Sequence, residues 1–283
     1  TINKKKKKNL FTDGRYTIQS QIESGKKFKI EPLGNLNNCK LFKNLKLGID
    51  PKLFTYHQIK NFFSKNNTIK FINKNLIDEI EKQKVKDTFA FFSLKKNIVG
   101  ESTNSKLNKI SRYLKKNKCD YMFVSAPENV AWILNIRGGD GPNSPVPNSR
   151  LIISKRKKII LFSKDKKCKK LIKEKIIKSR DFADTGEFQK RIFSLKGKNF
   201  IIDNNSCSIF YEEIIKSKFK IIKREDPTYL LKAIKNKTEI NNMKRAHIWD
   251  GVALTKFIYW IKNINKKQIT EVDAQNKLEK FRR

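Results

Sequence analysis

A chain of 283 residues has room for about two ordinary domains, and 38% hydrophobic residues with 20 Phe argue for packed cores rather than disorder. Its longest apolar runs, such as "FIYWI" at 257–261, fall far short of the ~18 residues of a membrane span, so no membrane partner is expected. The net charge of +38 invites a nucleic-acid reading, but lysines dominate over arginines and are spread along the whole length, among the Asn, Ile and Phe that A- and T-rich codons supply, so nucleic-acid binding is not expected as the main role.

The opening "TINKKKKKNL" carries a basic run with no apolar stretch behind it, unlike a secretory signal, and the run reads as the turn of a solvated hairpin. Four cysteines, Cys39, Cys119, Cys168 and Cys207, are scattered without a C-x-x-C pair. That excludes a zinc ribbon, gives no disulfide framework and points to a reducing cytoplasm.

"NLFTDGRYTIQSQIES" reads as strand, tight turn and helix, and "NLKLGIDPKLFTYHQIKNFFSK" repeats that order with an Asp-Pro turn. "IKFI" is a further short strand. "NLIDEIEKQK" is a short helix with Leu76, Ile77 and Ile80 on one face. A second unit opens near "VGESTNSKLNKISRYLKKNK", where Leu107, Ile110 and Leu114 form one buried helical stripe. "YMFVS" follows as a buried strand. The stretch "WILNIRGGDGPNSPVPNSRLII" (132–153) then gathers three of the seven prolines and three of the eleven glycines into a rigid loop, expected to join two buried strands. "RLIIS-KRKK-IILF" reads as an antiparallel hairpin closed by charge. A basic helix near 165–178, strand "NFIID", helix "SIFYEEIIKS" and strand "FKIIK" complete a mixed sheet covered by helices, an α/β architecture.

From Asn236, which forms a capping box with Glu239, Ile240, Met243, His247, Leu254, Ile258 and Ile261 keep a helical period for about seven turns. A second helix follows Thr270, with Ala274, Leu278 and Phe281 on one face. The chain opens at Thr1 inside a strand pair and stops at "KLEKFRR" inside a helical pattern, so a piece of a longer protein is expected.

In order, "LFTDGRYTIQS", "VGESTNSKLNKI", "VSAPENVAWILNIRGGDGPNSPV", "RLII", "LLKAIKNKTEINNMKRAHIWDGVALTKFIYWI" and "ITEVDAQNKLEKFRR" resemble the long, three-domain aminopeptidase P group, the Xaa-Pro aminopeptidases among creatinase-like metallopeptidases. The resemblance implies residues 1–98 as the C-terminal part of a first creatinase-like domain and 99–225 as a second, non-catalytic one. It implies 226–283 as the opening helices of a truncated pita-bread catalytic domain. It also implies hydrolysis of peptides with proline at the second position by a cytoplasmic homodimer with two divalent ions, Mn²⁺ as a rule, held by two Asp, one His and two Glu. None of those ligands can be placed in this chain, so no catalytic and no metal residue is assigned, and the chain alone is expected to bind no metal and to be inactive.

The resemblance does carry one site residue. Arg15 matches the arginine that reaches the peptide in the family's Asp-Gly-Arg-Tyr stretch, where Phe11 replaces the usual Trp; the alternative is a surface arginine paired with Asp13. Arg137 and Asp140 read as loop-bracing residues. His57 reads as a surface or partly buried side chain on its helix, and His247 as a core residue on the apolar stripe. The pairs in "DEIE" and "YEE" read as solvated helix faces. Two rivals remain in view: a catalytically inactive aminopeptidase-like binding protein, and a nucleic-acid-binding protein on a borrowed fold.

Overall fold

The computed structural model describes residues 2–4, 7–36, 44–63, 66–72, 74–80, 89–141, 143–264 and 269–283. Strand β1 (Ile2–Lys4) runs antiparallel to β2 (Lys7–Thr12) with Lys4 opposite Lys7, so the lysine run does fold back on itself. Helix α1 (Thr17–Ser24) carries the chain over to β3 (Lys29–Pro32), parallel to β2. A second small pair, β4 (Lys46–Ile49) and β5 (Thr68–Phe71), is joined through α2 (Tyr56–Phe62). Thr55 and Gln58 start α2 with a reciprocal capping box, which satisfies two backbone donors that a helix end leaves open. The short α3 (Leu76–Ile80) follows, with Ile77 and Ile80 exposed.

The centre of the molecule is a six-stranded mixed sheet. Its strands are β7 (Tyr121–Val124), β9 (Arg150–Ser154), β10 (Ile159–Ser163), β11 (Phe182–Asp184), β12 (Asn199–Ile202) and β13 (Lys220–Lys223), in the order β11-β10-β9-β7-β12-β13. β9 is antiparallel to both its neighbours; the remaining pairings are parallel. Period-2 alternation divides the side chains between two cores. Met122, Val124, Ile153 and Leu161 lie with α5 (Thr103–Lys116), α6 (Pro127–Leu134) and α7 (Asp165–Lys173). Phe123, Ile152, Phe162, Phe200 and Ile202 lie with α8 (Phe188–Ser194) and α9 (Ile209–Lys216). This is a three-layer α/β unit. Its first core reaches back to Phe91, just before the two-residue strand β6 (Phe92–Ser93), which pairs with β8 (Ile136–Arg137).

Three expectations are corrected here. The apolar run before the loop is not one buried strand: only the two residues of β8 lead into the loop as a strand, and "WIL" ends helix α6. Pro127 presets its first turn, Asn135 closes it in the left-handed conformation (φ 55°), and a short apolar run cannot be told from a strand by periodicity. Glu212 is not a solvated helix position: it is buried beneath Lys223, 2.6 Å away. His247 is exposed rather than core. It lies on α11 (Lys237–Asn263), which touches α12 (Glu271–Arg282) and α4 (Lys96–Val99) but leaves Met243 47%, Trp249 65% and Tyr259 73% exposed. The short α10 (Thr228–Ala233) links the sheet to α11.

The first region is tied to the central unit through α9. Ile209 and Phe210 donate backbone N–H bonds to Phe54 and Pro51 carbonyls (2.9 and 3.0 Å), and Tyr56 Oη donates to Glu213 Oε1 at 2.8 Å.

Candidate functional site

Arg15 follows β2 in a single 3₁₀ turn, Gly14–Tyr16, that Asp13 caps by accepting the Arg15 N–H at 2.9 Å. The same carboxylate takes the guanidinium as a fork: Nε to Oδ1 at 3.2 Å and Nη2 to Oδ2 at 2.9 Å. That hydrogen bond lowers the Asp13 pKa and raises that of Arg15. The Arg15 side chain nevertheless stays 81% exposed, its guanidinium 5.7 Å from the Tyr16 ring. Two of its five N–H donors are engaged, so the planar head is oriented by Asp13 with donors left over for a carbonyl or carboxylate.

Arg137 and Asp140 brace the loop against its neighbouring elements. Arg137 Nη1 donates to the Ala131 and Ile136 carbonyls (3.2 and 2.9 Å), and Asp140 accepts the Asn148 N–H at 2.6 Å and pairs with Lys167. The glycines beside them are there for space: a Cβ on Gly138 would sit 2.9 Å from Phe91 and from the Pro147 backbone, and one on Gly139 2.6 Å from Phe89.

Among the described residues no three His, Cys, Asp or Glu side chains come together as metal ligands. His57 and His247 are both exposed, and His57 Nε2 contacts Asn61 at 2.8 Å. The paired divalent ions that the resemblance implies therefore do not fit the residues described here. Among the described residues burial disfavours the thiolate of each cysteine, pushing Cys168 up to about 12 and raising Cys119 and Cys207. Cys39 lies outside the described residues.

Sequence reasoning missed two buried polar clusters. Lys106, almost fully buried, donates to the Trp132 carbonyl (2.8 Å) and to Asn135 Oδ1 (2.5 Å), with Nζ 4.1 Å from the centre of the Trp132 ring. Burial pushes its pKa down to about 8 against the opposing pull of Glu101 and Glu239. Asn135 Nδ2 in turn donates to the Glu101 carbonyl at 2.9 Å. In the second cluster Asp226 accepts from Asn129 Nδ2 and the Thr228 N–H (2.8 Å each), and Lys232 donates to Asn129 Oδ1 at 2.7 Å. Burial raises the Asp226 pKa. One lysine among 65 basic residues carries no mark in sequence, although its place on the Leu107/Ile110 side of α5 was a usable signal.

Comparison with known proteins gives a consistent picture. The family described as Creatinase/Prolidase N-terminal domain matches residues 82–239. Xaa-Pro aminopeptidase 1 of Dictyostelium discoideum is 33% identical over 97% of this chain and 48% of its own length. Xaa-Pro aminopeptidase ApepP of Drosophila melanogaster is 29% identical over 96% of this chain and again 48% of its own. The chain spans about half the length of these curated relatives. In structure it is similar to the X-prolyl aminopeptidase of Caenorhabditis elegans, described as a cytosolic enzyme with a di-nuclear active site. The TM-score is 0.81 at 22% identity, over 98% of this chain and 49% of that one, a likeness of fold.

Proposed function

The chain belongs to the creatinase/prolidase N-terminal domain family, and on that footing we propose that it forms the non-catalytic half of an Xaa-Pro aminopeptidase. The carrying observation is the 33% identity to Xaa-Pro aminopeptidase 1, which runs along 97% of the chain instead of being confined to one motif. The reaction is removal of an N-terminal residue that precedes proline, in a cytoplasmic homodimer using two Mn²⁺ ions. The residues described here do not hold those ions, so this half acts on the peptide and not on the scissile bond.

Under this reading residues 1–98 complete a first domain, 99–225 form the second, and 226–283 begin the catalytic one. The first boundary is a shared strip, since Phe91 already packs in the central core. Arg15 is the peptide-contacting residue. Its guanidinium, held in one plane by Asp13, meets a peptide carbonyl or carboxylate with the donors that Asp13 leaves unused. The surrounding domains narrow access to short peptides with a free N-terminus.

The test uses the protein at the length of its relatives, supplied with Mn²⁺. It should release the first residue of an Xaa-Pro peptide and leave an Xaa-Ala control intact, while the 283-residue chain cleaves neither. Arg15→Ala should lower kcat/KM by roughly ten- to a hundred-fold, the worth of one charge-assisted hydrogen bond. Unchanged kinetics in that variant would return Arg15 to the role of a turn-side surface residue, and no Xaa-Pro cleavage by the long protein would overturn the reading as a whole.

A further inference from the structure

We propose that a cleft at one end of the central sheet, remote from Arg15 in the chain, binds a phosphorylated small molecule with a flat or apolar body. The cleft encloses about 710 Å³, within the ordinary range for small-molecule sites. Its floor is apolar, formed by Ile152, Ile160 and Leu195 beside the Tyr121 ring. Its rim is cationic: Arg156 and Lys158 from the β9–β10 turn, Arg180 from the turn Ser179–Asp181, and Lys196 after α8. None of these four has an ion-pair partner among the described residues. Opposed to them stand Asp181 and Asp120, and Asp120 is already neutralised by Lys155 at 2.7 Å.

The walls are fixed before any ligand arrives. Ser154 closes the turn through bonds with Lys158 (Ser154 N–H to the Lys158 carbonyl, 2.8 Å; Lys158 N–H to Ser154 Oγ, 3.0 Å). Asp120 accepts the Lys198 and Asn199 N–H groups at 2.7 and 3.1 Å, and Tyr121 Oη donates to the Lys196 carbonyl at 2.9 Å. Those bonds bring the Lys196 segment and the turn to the same carboxylate. With Asp181 set against them, the four rim cations still leave an excess of positive charge around a concave, low-dielectric floor, which focuses positive potential there beyond what a diffuse lysine coat produces. Guanidinium and ammonium groups together suit phosphate oxygens, and the aliphatic floor leaves a place for the body that carries them.

The experiment is calorimetric titration of the 283-residue chain with ATP as probe, beside adenosine and inorganic pyrophosphate. ATP should bind about tenfold or more tightly than pyrophosphate, and adenosine without measurable heat, because charge and floor act together. R156E/K158E should weaken ATP at least about tenfold with the unfolding midpoint unchanged. K166E/K173E makes the same charge change on the exposed face of α7 and should leave ATP binding as in the wild type. Equal weakening by both double variants would overturn the proposal in favour of a diffuse basic surface, as would an absence of ATP binding. Equal affinity for pyrophosphate and ATP would refute the role of the floor. Displacement of ATP by a short single-stranded oligonucleotide, with K115E/K118E on the neighbouring surface as damaging as R156E/K158E, would replace the site by a polyanion groove.

Discussion

Helices α5 and α11 carry the same kind of apolar stripe and meet opposite fates. Leu107, Ile110 and Leu114 of α5 vanish beneath the sheet, whereas Met243, Leu254 and Ile258 of α11 remain more than two-fifths exposed. Along α11 Ala253 is the one buried side chain among those described. Amphipathic period identifies the face a helix would bury, but burial requires a second surface, and a sheet supplies it to one of these helices and not to the other. The stability of this chain should therefore reside in the central unit, with α11 and α12 contributing little.

The sharpest way to break that contrast is truncation in each region. Phe200→Ala, in the fully buried second core, should cost about 3–5 kcal/mol in urea unfolding, while Trp249→Ala on α11 should change stability by less than about 0.5 kcal/mol. Comparable losses would mean that α11 packs in solution against something equivalent to the sheet. Amide exchange gives the same comparison without substitution: β7 and β12 should exchange at the global rate of opening, and residues 245–263 much faster.

Lys106 offers a pH-dependent version of the contrast, because it sits in the central unit and has no counterpart on α11. Its folded pKa of about 8 lies below the ordinary lysine value of 10.5, so burying the charge costs stability at neutral pH. Between pH 8 and 10.5 the unfolded chain holds a proton that the folded chain has released, so stability rises with pH across that window, by about 3 kcal/mol at most. Lys106→Met should abolish the rise, and a urea midpoint that climbs equally in that variant would assign it to other groups. Asp120, held down to about 2 by Lys155 and two backbone N–H groups despite its burial, works in the other direction: stability falls as pH drops from the ordinary carboxylate range toward 2, and Asp120→Asn should flatten that limb.

A smaller effect is expected at the joint between the regions. Gly100 has φ 71°, and a Cβ there would approach Asn236 Oδ1 to 2.3 Å. Gly100→Ala should cost about 1–3 kcal/mol and loosen α11 more than the sheet. Exchange that speeds up equally in β12 and α11 would show that the joint belongs to the core. Smallest of all, Arg15→Ala should leave the unfolding midpoint where it is, since solvent screens an ion pair this exposed.

Much of this architecture was readable in advance. The capping box at Asn236, the helix start at Thr270, the β9–β10 hairpin and the stripe on α5 are local patterns with local causes, and all four stand in the structure. What escaped was set by distant partners. "WIL" was misread because a short, wholly apolar run has no period to betray a helix. Strand β11 and helix α8 are short, and their burial depends on Phe162, Phe123 and Tyr211, brought in from other elements. Glu212 was misplaced because the lysine beside it arrives from β13, eleven residues later. Arg15 was singled out through family resemblance; its fork with Asp13 matches the local pairing weighed for it, and its exposure is what the proposed contact with peptide requires.

Asn236 does two things at once: its Oδ1 caps α11 through the Glu239 N–H at 3.0 Å, and its Nδ2 holds the Val99 carbonyl at 2.9 Å. With Asn242 Nδ2 donating to the Ile98 carbonyl at 3.1 Å further along, it sets the rotational phase of a 27-residue helix against the central unit. A slip of one residue would turn the helix by about 100° and break both bonds together. Roughly 40 Å of helix, at about 1.5 Å per residue, thus inherits its heading from two asparagines near its base, so that whatever meets Trp249 or Tyr259 meets them at an azimuth chosen beside Ile98 and Val99.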